Sequence, residues 1–116
     1  MSEKERVIGI VGPSKSGKST LQQGLSKHGY QCKHIAQEHS FVPNMWNVIA
    51  NPDVLIYLDV SFENSMKRGQ PRWNEADYQE ELNRLRQARA HADLYVQTDD
   101  VNADNVLTQA LAFLEG

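Results

Sequence analysis

Eight consecutive residues, Gly12-Pro13-Ser14-Lys15-Ser16-Gly17-Lys18-Ser19, carry the densest chemistry in this chain. They satisfy G-x-x-x-x-G-K-[ST] at each fixed position, the spacing of a loop that cradles phosphate. The glycines permit positive φ and let an oxyanion approach the main chain closely. Successive N–H groups can then turn inward as an anion nest. A helix opening at Lys18 would add about half a positive charge at its N-terminus. Lys18 is then expected to reach the β and γ phosphates, Ser19 to ligate Mg²⁺, and Thr20 to touch the α phosphate. Lys15 stands at the tip, where it either adds charge or is simply solvated. The ligand expected from this chemistry is a nucleoside triphosphate, ATP with Mg²⁺. The competing reading is a glycine-rich turn before an ordinary helix.

Other chemistry-bearing residues are scattered. In Ile35-Ala36-Gln37-Glu38-His39-Ser40, a strand lying beside the first one would bring Gln37 and Glu38 out next to the loop. Glu38 could then hold Mg²⁺-bound water, and Gln37 or His39 could orient a nucleophile. A polar loop capping the sheet edge fits the same residues. His34 and His39 are spaced poorly for a shared metal and, with Cys32, make no credible zinc site. Phe41 to Trp46 is apolar and aromatic; it could cover a substrate, meet a subunit partner or pack in the core.

The elements that must position these residues follow from periodicity. Val7-Ile8-Gly9-Ile10-Val11 is a short apolar run suited to a strand buried on both faces. Lys18 to His28 reads as a helix with Leu21 and Leu25 on one face and Gly29 as its stop. Tyr30 to Ala36 is expected to be a strand, Gln37 to Pro43 a loop, and Asn44 to Ala50 a short helix. Asn51-Pro52-Asp53 is a turn signal. Val54 to Val60 is the strongest strand. Ser61 can cap a helix, Gly69-Gln70-Pro71 interrupts it, and Asn74 can cap the next. Tyr78, Leu82, Leu85 and Ala92 mark that helix's apolar stripe, with Glu80, Glu81, Arg84, Arg86 and Arg89 on other faces. Leu94 to Thr98 is a fourth strand. Val106, Leu107, Ala110, Leu111 and Leu114 define a last amphipathic helix. Strands alternating with helices imply an α/β fold with a small parallel sheet of about four strands, in one domain spanning 1–116.

Composition agrees. The chain has 116 residues, 40% hydrophobic and 23% charged, and a net charge of −3. That balance is globular and argues against a dedicated nucleic-acid surface. The single cysteine, Cys32, has no internal disulfide partner and reads as a buried structural thiol, which fits a reducing cytosol. The polar N-terminus and short apolar runs suggest neither a signal peptide nor a membrane span. A cytoplasmic protein is expected, and a homodimer is possible.

With the loop in place, the chain resembles, in reduced form, the P-loop kinases that include adenylate, shikimate, thymidylate and dephospho-coenzyme A kinases. The similarity covers the first strand, loop and helix, and a second block from Pro52 to Thr98. Pro52 to Val60 looks like the strand before the lid of those enzymes. Arg68-Gly69-Gln70-Pro71-Arg72 looks like a short lid. Ala92 to Asp99 looks like their last strand and the loop flanking adenine. The resemblance implies a minimal P-loop NTPase fold, with Arg68 and Arg72 closing over the phosphates. It implies that Thr98 and Asp99 line the adenine pocket, and that Asp59 has a structural or hinge role. The pattern departs in lacking a second strand that ends in an acid. The function it implies is a kinase-like phosphotransferase with an unknown small-molecule acceptor. The alternatives are a non-catalytic nucleotide sensor or a slow NTPase. Lys18, Arg68, Arg72 and Glu38 are the expected catalytic residues.

Overall fold

A computed structural model of the chain describes residues 6–69 and 74–116. Its frame is four parallel strands: β1 (Val7–Val11), β2 (Gln31–His34), β3 (Val54–Asp59) and β4 (Leu94–Gln97). They lie in the order β2-β1-β3-β4. Parallel neighbours require crossover segments, and six helices help supply them. These are α1 (Lys18–Lys27), α2 (Met45–Ala50), α3 (Phe62–Lys67), α4 (Glu75–Arg84), α5 (Arg86–His91) and α6 (Ala103–Glu115). A 3₁₀ turn, Gln37–His39, follows β2. The expected α/β architecture with a four-stranded parallel sheet is therefore present.

The two central strands read as near-continuous apolar runs because both their faces are covered. Ile8, Ile10, Val54, Ile56 and Leu58 pack with Leu21 and Leu25 of α1 and with Val106, Ala110 and Leu114 of α6. On the opposite face Val11, Leu55 and Tyr57 meet Ala50, Leu85 and Ala88. Burying each large aliphatic side chain contributes roughly 1.5–3 kcal/mol. Helix starts are capped by short polar side chains. Ser61 accepts from the Asn64 N–H, Asn102 from the Asn105 N–H, and Asn74 forms a reciprocal capping box with Asp77.

Three expectations change in detail. The second strand is shorter than Tyr30 to Ala36, because the chain turns into the 3₁₀ segment after Ile35. The helix after Asn74 is broken at Leu85, whose N–H is shared between the carbonyls of Glu81 and Leu82. Of the Phe41 to Trp46 segment, only Met45 and Trp46 pack against the core. Phe41 is exposed, with the Arg84 guanidinium 4.4 Å from its ring centroid.

Candidate functional site

The loop between β1 and α1 owes its path to two glycines. A Cβ on Gly12 would lie 2.1 Å from the Leu58 carbonyl oxygen of the neighbouring strand, so no side chain fits there. Gly17, at φ 101°, is the N-cap of α1, a conformation costly for other residues. Lys15 takes a left-handed φ of 68° without being glycine, a strained state that recurs at binding loops. The first N–H groups of a helix lack intrahelical partners. Here they belong to the turn that carries Lys18, Ser19 and Thr20, at the C-terminal edge of the central strand.

Lys18 is the electrostatic centre of the loop. It is 5% exposed, and its ammonium donates to Gly12 O (2.7 Å), Pro13 O (3.1 Å) and Glu38 Oε2 (2.8 Å). Glu38 comes from the 3₁₀ turn and is 4% exposed, and its other oxygen, Oε1, has no hydrogen-bond partner among the described residues. A buried carboxylate oxygen left unpaired is costly, which marks this point as one suited to receive a cation or a donor. The sequence-based placement of Glu38 beside the loop is thus realised. Gln37 instead bonds the main chain of Val42, Arg84 and Trp46, as a brace.

Two contacts were not anticipated. Glu81 of α4 is 3% exposed and receives both donors of Ser14, the N–H at 2.9 Å and Oγ at 2.7 Å. His34, the last residue of β2, places Nδ1 3.3 Å from Ser19 Oγ. His39 sits between the two acids, 3.9 Å from Glu38 and 3.8 Å from Glu81. A signal for Glu81 existed, since it falls at helical spacing between Tyr78 and Leu85, inside the apolar stripe.

Two cavities flank the loop. One, of about 430 Å³, is lined by residues 14–20 with His34 and Glu38. The other, of about 300 Å³, is lined by Lys15 to Gly17, Thr20, Leu21, Arg68, Thr98, Val101, Ala103 and Val106. Thr20 therefore faces both. Arg68 donates to Lys15 O (2.9 Å), Thr98 Oγ1 (3.1 Å) and Thr98 O (2.8 Å), which ties the loop tip to the end of β4. Arg72 lies outside the described residues. Asp99 lines neither cavity. Its carboxylate accepts the Ser61 N–H at 2.9 Å. Partial burial pushes that carboxyl up, but hydrogen bonds from Ser61, Asn64 and Gln97 outweigh it and hold it below the usual value. Asp59 has the structural role expected, accepting from Tyr95 and from the Val60 N–H. Burial pushes the Cys32 thiol up to about 11, in keeping with a structural thiol.

The residues present fit a divalent ion only in part. Ser19, Glu38 and His34 line one cavity, yet among the described residues no three His, Cys, Asp or Glu side chains form a cage. Such a partial set suits an ion that keeps waters and takes further oxygens from a bound phosphate chain. Also among the described residues, no helix is long and apolar enough to cross a membrane.

Fold and site together define a small α/β domain with a loop between two glycines, Gly12 and Gly17, at the sheet's carboxyl edge. No family model matches the chain, and no curated protein matches it. Among solved structures it is similar to a signal receiver domain of a signal transduction histidine kinase from Syntrophus aciditrophicus. Identity is 18%, covering 97% of this chain and 92% of that one, with a TM-score of 0.47.

This corrects the resemblance drawn from the sequence. The similar structure is a receiver domain, not a member of the adenylate, shikimate, thymidylate and dephospho-coenzyme A kinase group. Membership of that group is withdrawn. So is the ATP-binding, kinase-like function carried over from it, with its sensor and slow-NTPase alternatives. The structure supplies a physical reason: Arg68, expected to close over phosphates, is engaged with the main-chain oxygens of Lys15 and Thr98. At this identity and TM-score, nothing about activity follows from the receiver domain either.

Proposed function

We propose that the 12–19 loop binds the phosphate groups of a ligand, accompanied by a divalent cation. The reading rests on this loop's own chemistry and includes no phosphoryl transfer. It treats Val7 to Lys27 as a strand, phosphate loop and helix unit, and it places the protein in the cytoplasm.

The observation that carries it is the position of Lys18. A buried ammonium, held by two carbonyls of its own loop and one carboxylate, stands at the start of a helix whose first N–H groups have no intrahelical partner. Buried cations are retained where a compensating anion is available. A phosphate oxygen entering the 430 Å³ cavity would meet that ammonium, the amides and the Ser19 hydroxyl together.

Calorimetric titration with ATP, GTP and inorganic pyrophosphate, each with Mg²⁺, tests this. Lys18→Ala should weaken binding by about 1.5–3 kcal/mol, roughly 10- to 150-fold, as expected for losing a charge-assisted contact. Equal affinity in the variant, or no binding of any of the three by the wild type at millimolar concentration, would sink the proposal.

A further inference from the structure

The nature of the cation can be taken further, on the footing that the loop holds a phosphate chain. Ser19 and His34 lie on different elements, the first turn of α1 and the end of β2, and the register of the sheet brings them together. Ile10 pairs with His34, so β2 ends level with the end of β1, beside the loop. His34 Nδ1 is 3.3 Å from Ser19 Oγ. Neighbouring ligand positions around a divalent ion with bonds of about 2.1 Å are about 3 Å apart. The pair therefore has the spacing of adjacent ligands.

A second observation points to the same place. Glu38 is 4% exposed, shares the cavity wall with His34 and Ser19, and leaves Oε1 without a partner among the described residues while Oε2 binds Lys18. An acid, an imidazole and a hydroxyl thus line one cavity. Carboxylate, hydroxyl and phosphate oxygens suit Mg²⁺, whereas an imidazole nitrogen shifts preference toward first-row transition ions.

We propose that His34 Nδ1 is a ligand of the divalent cation that accompanies the phosphate chain, beside Ser19 Oγ and with Glu38 bound directly or through water. The site would then favour Co²⁺ or Mn²⁺ over Mg²⁺. No atom of the ligand is transformed in this proposal; it concerns binding alone.

The test uses the full chain with ATP as the phosphate ligand. ATP affinity is measured with Mg²⁺, Mn²⁺ and Co²⁺ for the wild type and for His34→Ala. The Mn²⁺ complex is then examined by pulsed electron paramagnetic resonance with isotopically labelled histidine. His34 is exposed on an edge strand, so the variant should melt like the wild type. The expected result is tighter ATP binding with Co²⁺ or Mn²⁺ than with Mg²⁺, a preference that shrinks by about tenfold in the variant. A histidine nitrogen coupling to Mn²⁺ should vanish with it. An unchanged preference, or no such coupling while ATP still binds, overturns the role of His34 and leaves the phosphate site standing. Failure of ATP to bind the wild type with any of the three ions overturns both.

Discussion

Removing the Glu81 carboxylate should loosen the loop from the rest of the domain. Glu81 takes two hydrogen bonds from Ser14, at 2.9 and 2.7 Å, across 67 residues of sequence. A hydrogen bond to a charged group contributes about 1.5–3 kcal/mol net, so the pair contributes roughly 3–6 kcal/mol before offsets. Two offsets apply. Alanine relieves the desolvation of a carboxylate that is only 3% exposed, and half-buried Ser14 can bond water in its place. The expected loss for Glu81→Ala is about 2–4 kcal/mol, or roughly 10–20 °C in Tm for a domain of this size. Glu81→Gln keeps the shape, one acceptor for the N–H and a donor for Oγ, and should cost about 1 kcal/mol. Glu80, one residue earlier, is a suitable control, because its side chain is 52% exposed and its partner Arg84 is 3.4 Å away on the same helix. Glu80→Ala should change stability by less than about 0.5 kcal/mol. Urea titrations followed by circular dichroism measure all three. An alanine variant at position 81 no less stable than the position-80 control would refute the claim that α4 holds the loop. Phosphate-chain affinity supplies a separate readout. A looser loop must be ordered on binding, so Glu81→Ala should weaken ATP, though less than Lys18→Ala does.

Arg68→Ala should destabilise by about 1–2 kcal/mol through the lost contacts to Lys15 and Thr98. It should lower ATP affinity less than Lys18→Ala in the same titrations; a larger effect would mean that Arg68 contacts the ligand directly. Cys32 should react slowly with a thiol reagent at pH 8 in the folded protein and rapidly in urea, since its thiol is pushed up to about 11 by burial. The sign of the linkage follows. A raised folded value means that the contribution to stability is complete below the unfolded value near 9 and is lost as pH rises from there toward 11. Cys32→Ser should flatten that part of a stability–pH curve, and an unchanged curve would remove Cys32 as its cause.

How much of this could be foreseen depends on how local each signal is. The loop was legible because its physics is written in eight consecutive residues: Gly12 must avoid the Leu58 carbonyl, Gly17 must open the helix, and Lys18 must turn back onto the loop. The central strands were legible because burial on both faces selects an unbroken apolar run. The break at Leu85 was not, because Leu85 is helical on either side of a shared N–H and its residue type carries no stop signal. The contacts of His34 with Ser19 and of Glu81 with Ser14 needed tertiary knowledge, although the helical spacing of Glu81 already hinted at its burial. One depends on which strand lies beside β1, the other on where α4 comes to rest. Glu38 lies between these cases, since it was readable once β2 was assumed to neighbour β1, and the order β2-β1-β3-β4 meets that condition. The kinase resemblance failed for a related reason. Its second block rested on the order of residue types, with no contact that required Arg68 to face a phosphate rather than the Thr98 carbonyl. Where a short stretch has one physical solution, spacing alone is a strong guide. Where a side chain has several partners within reach, as Arg68 and Asp99 do, only the packed structure decides which one it takes.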